Sequence, residues 1–148
     1  MIYVILAAVI FAGEYLLKNK MDAKGEEGPK KTLLHGKITL WKYHNHGAFR
    51  NLGEKRGILV PILSVVLSLA LTIVFVISLG TKGTPLLRAG LTLLLGGAYS
   101  NTYDRLKRKY VVDYFSIKCK NKWINELVFN VSDFCIMIGA LVACLAVK

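Results

Sequence analysis

Acid is scarce in this chain. Its 148 residues include nine Asp and Glu against twenty Lys and Arg, for a formal net charge of +11. Cysteine is scarce too. Cys119, Cys135 and Cys144 form no CxxC pair, and the last two fall on nearly opposite faces of one expected helix. This argues against a disulfide framework or a zinc site and leaves three small apolar packing residues. The chain has no internal repeat, no long low-complexity tract and no nucleic-acid-binding motif. The basic excess is therefore assigned to membrane lipid headgroups, and no nucleic-acid partner is expected.

What the chain has in abundance is apolar residues. They make up 54% of the sequence, and the mean hydropathy of +0.46 is too high for an ordinary soluble domain. They come in four blocks, expected as spans over about 2–17, 58–79, 85–103 and 130–147. The second, Ile58 to Leu79, has 22 residues without a charge, and about 20 suffice to cross a bilayer. Pro85 follows Thr84 as a first helical residue follows an N-cap, and Arg88 one turn later could snorkel to the headgroups. The first block lacks a basic n-region, and Glu14 interrupts any cleavage-site pattern, so it reads as a retained helix. Gly90, Gly96 and Gly97 would let the third helix pack closely against its neighbours.

Four spans place both chain ends on one side and both long loops, 18–57 and 104–128, on the other. "MDAKGEEGPKKT" reads as a flexible stretch. "GKITLWKYHNHGAF" and "KYVVDYFSIK" read as short strands. Trp41, Tyr43, Tyr110, Tyr114, Phe115 and Trp123 suit an interface. The expected architecture is thus an all-α membrane protein of one domain, with four transmembrane helices and a small extramembrane β-sheet at one membrane face.

That face also collects the unusual polar residues: Glu14, Asn45, Asn101, Asp104, Arg105, Asp113, Asn130 and Asp133. Ionisable groups at membrane depth are costly and usually mark a functional site. The plainer reading is helix capping and interface solvation, since Asp133 sits in a helix's first turn. Two aspartates brought close would share one proton, because both cannot ionise easily. The charged one can then take a proton from water while the neutral one donates to a scissile carbonyl.

"GGAYSNTYDRLKRKYVVDYF" followed by "FNVSD" resembles the lipoprotein signal peptidase (signal peptidase II) family, whose pattern is GN-x-x-DR, VVDF and FN-x-AD. Asn101, Asp104 and Arg105 match the first part, Val111, Val112 and Asp113 the second, and Phe129, Asn130 and Asp133 the third. "NHGAF", with Asn45 and Gly47, is one residue short of N-x-G-A-A-F. "GEYLLK" resembles D-Q-x-x-K, with Glu14 and Tyr15 substituted and Lys18 kept. Further departures are Ser100 and Lys109 where glycine is usual, and Ser132 for alanine.

The resemblance implies an aspartyl endopeptidase of the bacterial cell membrane, with its active site at the outer face. Its substrate would be a prolipoprotein, cut before a diacylglyceryl-modified cysteine. Asp113 and Asp133 would be catalytic; Glu14, Lys18, Asn45, Gly47, Asn101, Asp104, Arg105 and Asn130 would bind substrate or support the site, with Asp104 and Arg105 as a bracing pair. No cofactor or metal is implied, globomycin-type inhibitors would bind, and a monomer is expected.

Other signals are weaker. His44 and His46 could face one way in a strand, but further metal ligands are lacking nearby. "GTKGTP" lacks the context of a phosphate loop, and the GxGD of presenilin-type proteases is missing. The loops carry ten and seven Lys and Arg against three on the other side. The positive-inside rule would put both loops in the cytoplasm, opposite to the family's orientation. The alternative from another class is a non-catalytic small membrane protein: an inactive homologue, or a lipid- or peptide-binding module.

Overall fold

The computed structural model describes residues 1–23, 31–47, 58–119, 125 and 127–147. Within them the chain forms helix α1 (Ile2–Asp22), strands β1 (Lys31–Leu33) and β2 (Ile38–Asn45), and helices α2 (Leu59–Gly80) and α3 (Pro85–Lys107). Strand β3 (Val111–Ile117) and helix α4 (Val131–Ala146) follow. Helix α3 is central and packs against α1, α2 and α4. The strands lie at the end of the helices where α1 and α3 finish and α2 and α4 begin.

Two helices, α1 and α2, are long and apolar enough to cross a membrane. Helix α4 is apolar but has 16 residues, or about 24 Å at 1.5 Å per residue. Polarity is distributed inside out. Val4, Leu6, Ile73, Ile77, Met137 and Leu141 are exposed, while Thr92, Ser100, Asn101, Thr102 and Asp104 on α3 are buried. Hydroxyl pairs stitch α2 to α3: Ser68 lies 3.0 Å from Thr102 and Thr72 lies 2.6 Å from Tyr99, oxygen to oxygen.

Close packing of α3 against α4 depends on missing side chains. A Cβ at Gly97 would lie 2.5 Å from the carbonyl oxygen of Ser132. One at Gly90 would lie 2.6 Å from the backbone nitrogen of Ala143. Such contacts are below any real packing distance, so these glycines let the backbones meet.

At the far end Arg88 reaches back toward the α2–α3 turn. Its Nε donates to the Ser78 carbonyl at 2.9 Å and its Nη2 to the Thr81 carbonyl. It thereby satisfies orphan acceptors at the C-terminus of α2 and closes the α2–α3 hairpin.

The sheet order is β1-β2-β3, antiparallel throughout, with a register irregularity in β2 between Leu40 and Tyr43. Both expected strands are present. β1 was not expected: its turn puts Leu34 and His35 at φ 52° and 54°, conformations usually signalled by Asn or Gly. It also takes up Lys31 and Thr32 from the end of the stretch read as flexible; residues 24–30 lie outside the described ones, as do Ala48, Phe49 and Trp123. Helix α1 runs five residues past its expected end. Lys18 does not leave the helix for water but turns inward, fully buried.

Candidate active site

Four segments meet at the sheet end of the helices. Strand alternation sends Asp113 and Tyr114 to opposite faces of β3. Tyr43 and Asn45 on β2 pair in register with Asp113 and Val111. Phe129 bridges to Phe115, with Tyr114 N donating to the Phe129 carbonyl at 2.9 Å. The segment before α4 is thereby fixed to the edge of β3. The next residue, Asn130, is the N-cap of α4.

That cap joins the two aspartates. Asp133 Oδ2 accepts from Asn130 N at 3.0 Å, and Asn130 Oδ1 accepts from Asp133 N at 3.1 Å, a reciprocal capping box. With its oxygen so engaged, the Asn130 amide nitrogen donates to Asp113 Oδ1 at 2.7 Å. The plainer reading of Asp133 as a capping residue is therefore true of its geometry, and the same cap carries Asp113.

Each remaining carboxylate oxygen has its own asparagine. Asp113 Oδ2 accepts from Asn45 Nδ2 at 3.1 Å, and Asn45 Oδ1 in turn accepts from Gly47 N at 3.1 Å. Asp133 Oδ1 accepts from Asn101 Nδ2 at 3.0 Å. Asn101 is turned that way because Lys18 Nζ donates to its oxygen at 2.7 Å. Lys18 also reaches Ser100 Oγ at 3.0 Å and Asp104 Oδ2 at 3.1 Å.

The residues expected at one face are thus brought together, but one pairing differs. Asp104 does not brace Arg105. Its partners are Lys18 and Arg108, the latter at 3.1 Å, and it accepts from Val112 N at 3.3 Å. Adjacent helical residues point apart, whereas residues four apart share a face. Arg105 instead donates at 3.4 Å to the carbonyls of Asn101 and Gly47, and its charge acts on both Asp113 and Asp133. Its Nε is the buried side-chain nitrogen that lacks a partner among the described residues.

Asp113 is 2% exposed. Burial, and then the charge of Asp133, push its pKa from 3.8 to about 7, against the opposing pull of the Asn45 and Asn130 hydrogen bonds and of Lys18. It is a carboxyl that holds a proton near neutrality.

Glu14 lies behind this pair. Its Oε1 accepts from Tyr114 OH at 2.6 Å, and its Oε2 accepts from Ser132 N at 3.0 Å and Ser132 Oγ at 2.8 Å. Tyr114 is therefore buried rather than interfacial. Neither Tyr114 nor Ser132 was singled out as a site residue. The available signal was that Ser132, like Glu14, departs from the pattern the chain resembles, and the two departures bond to each other.

His44 faces away from the aspartates. Its Nε2 lies 2.8 Å from Asp22 Oδ1, its ring stacks on Tyr110 at 3.9 Å, and Arg108 Nη1 donates to Asp22 Oδ2 at 2.6 Å. This cluster docks the sheet on the end of α1. No group of three or more His, Cys, Asp or Glu placed to hold a metal occurs among the described residues.

Comparison with known proteins agrees with the residue pattern. The lipoprotein signal peptidase of Latilactobacillus sakei is 31% identical over 99% of this chain and 93% of its own. That of Bacillus subtilis is 29% identical over 95% of this chain and 89% of its own. Two solved structures, each described as a bacterial membrane enzyme determined by the in meso method, share the fold. Their TM-scores are 0.81 and 0.80 at 19% identity, covering 97% of this chain and 85% and 90% of theirs. Residues 5–148 match the family described as Signal peptidase (SPase) II, and the chain belongs to that family.

Proposed function

We propose that this protein is a membrane aspartyl endopeptidase that removes signal peptides from diacylglyceryl-modified prolipoproteins, with Asp113 and Asp133 as the catalytic pair. The observation that carries the mechanism is the raised pKa of Asp113, about 7, beside a second carboxyl joined to it through one asparagine. Such a pair holds one proton. Its ionised member draws a proton from a water molecule as that water attacks the scissile carbonyl carbon. Its protonated member donates to the carbonyl oxygen, and the same pair then returns a proton to the departing amine. Arg105, whose buried Nε has no partner among the described residues and whose two hydrogen bonds there are long, has donor capacity for a substrate carbonyl.

The relatives' name, lipoprotein signal peptidase, supports this substrate. The inside-out polarity supports a chain that crosses the membrane four times, with α3 shielded by its three neighbours. Its site then lies at the outer face of a bacterial cell membrane, where a signal helix and its lipid arrive from the bilayer. Globomycin-type peptides would compete there, and the chain would act as a monomer.

The test is cleavage of a diacylglyceryl-modified prolipoprotein by purified Asp113→Asn and Asp133→Asn variants. Both should insert normally and lose turnover. Near-normal turnover in either one refutes the paired-aspartate assignment.

A further inference from the structure

The two proposed catalytic aspartates are each followed or preceded by a residue that no substrate could touch. Tyr114 follows Asp113 and is 4% exposed; Ser132 precedes Asp133 and is fully buried. Both hydroxyls end on one carboxylate, that of Glu14, one on each oxygen. Glu14 belongs to a third element, α1, and is itself buried. The Tyr114 oxygen also accepts from Val131 N at 3.0 Å. Together these bonds tie β3 to the first turn of α4 on the side away from the aspartates.

We propose that Tyr114 and Ser132 are positioning residues that, through Glu14, set the separation of the two aspartates and so the ease with which they share a proton. This rests on the reading of Asp113 and Asp133 as the catalytic pair.

The geometry leaves little play. Asp113 lies on a strand and Asp133 on a helix, so no single element fixes one against the other. On the aspartate side, among the described residues, the Asn130 amide spans them. On the far side Glu14 does, with its two oxygens directed at the two elements. The direction of donation is set as well. Burial and the Glu14 carboxylate raise the Tyr114 phenol above its ordinary range, so its oxygen keeps its proton and donates. Lys18, 4.0 Å from Glu14 Oε2, holds the carboxylate from its own helix, one turn on. Bonds buried this deeply are worth more than their exposed counterparts, and losing one frees motion where sub-ångström placement governs rate.

The experiment uses the full chain in detergent or bilayer, with Tyr114→Phe, Ser132→Ala and the double variant. Each removes a hydroxyl and keeps the packing. Turnover of a diacylglyceryl-modified prolipoprotein is followed across pH, with kcat and KM resolved. Each single variant should lose roughly tenfold to a hundredfold in kcat, the range expected for a misplaced reacting group, with KM little changed. A looser pair repels less, so the alkaline limb of the kcat profile should move to lower pH in each variant. The double variant should be less impaired than the product of the single losses, because both act through one carboxylate.

Unchanged kcat in both single variants overturns the proposal. A fall in kcat with an unmoved alkaline limb also overturns it, because loss of folded protein alone lowers rate without shifting that limb. Asp113→Asn and Asp133→Asn run alongside. If they remain active, the catalytic pair itself is wrong; if they are dead while Tyr114→Phe and Ser132→Ala are fully active, only the positioning role fails.

Discussion

Asp113→Asn should abolish cleavage and at the same time stabilise the protein at neutral pH. A carboxyl whose folded pKa lies above its unfolded value binds its proton more tightly when folded. The stability this confers is fully present below about pH 3.8 and is lost as pH rises through about 7. The step from 3.8 to about 7, at ~1.36 kcal/mol per pH unit, corresponds to about 4 kcal/mol between the two ends of the range. Asparagine carries no such titration. It does carry an NH2 group where both neighbours, Asn130 Nδ2 and Asn45 Nδ2, are already donors. One of those bonds is lost, at a cost of about 1–3 kcal/mol. The variant should therefore be more stable than the parent above pH 7 by about 1–3 kcal/mol, the difference of these two figures. Near pH 4, where the parent is protonated, the advantage disappears or reverses.

Thermal unfolding in detergent, followed by tryptophan fluorescence at steps from about pH 4 to about pH 8, measures this. At about 2–4 °C per kcal/mol for a chain of this size, the parent's Tm should fall by about 8–16 °C more than the variant's across the range. Asp133 is coupled to Asp113, so the difference between the two profiles belongs to the pair. Parallel profiles would refute the reasoning, because Asp113 would then not carry the raised pKa on which proton sharing depends.

Asp104→Asn should lower folded yield sharply, since it leaves Lys18 and Arg108 without their shared carboxylate; breaking a buried pair costs about 3–5 kcal/mol. Full yield without turnover would instead make Asp104 a catalytic group. Lys109→Gly should raise Tm by a few degrees, because Lys109 sits at φ 71° just past the end of α3, where a side chain costs about 1–2 kcal/mol; an unchanged or lower Tm refutes that. Gly97→Ala should cost stability and turnover together, its Cβ meeting the Ser132 carbonyl at 2.5 Å; a variant equal to the parent in both would show that the helices can separate freely. A reporter active only outside the cytoplasm should be active when fused after Lys31 and silent after Lys82, and the reverse pattern would support the charge rule.

The helices were legible in the sequence because their apolar blocks are long and bounded by turn residues. Their ends were not. Lys18, Asn19 and Lys20 read as loop because they are polar, yet α1 continues through them. An inward lysine is invisible to hydropathy, which counts charge without knowing what waits on the neighbouring helix. β1 escaped for a similar reason: Leu34 and His35 carry no turn signature, and the sheet imposes their backbone conformation from outside. The site residues were legible as a set because their spacing in sequence is distinctive. Their pairings were not. Asp104 and Arg105 are neighbours in sequence and diverge in space, while Asp104 and Arg108, four apart, share a helix face and an ion pair.

An acid-poor chain has many cations with which to neutralise two buried carboxylates, yet among the described residues Lys18 and Arg105 act on Asp113 and Asp133 by charge at a distance, without a salt bridge to either. The donors seated on the pair are the amides of Asn45, Asn101 and Asn130 and one backbone N–H. The buried ammonium of Lys18 is paired with Asp104 and bonded to the Asn101 amide, which it turns toward Asp133; its charge acts on the two aspartates without a bond to either. A lysine or arginine placed directly on either aspartate would favour its ionised form and draw its pKa down. Neutral amides orient the oxygens with far less of that bias, so burial and mutual repulsion are left to decide where the proton sits. For Asp113 they decide in favour of keeping it, up to about pH 7. On the proposed mechanism, the asparagines are the part of the site that reconciles fixed geometry with a mobile proton. Replacing Asn101 by Asp should show it: a third carboxylate would compete for Lys18 and crowd Asp133, so turnover should fall and the alkaline limb should move upward. An alkaline limb unmoved in Asn101→Asp would mean that the amide does no more than fill space.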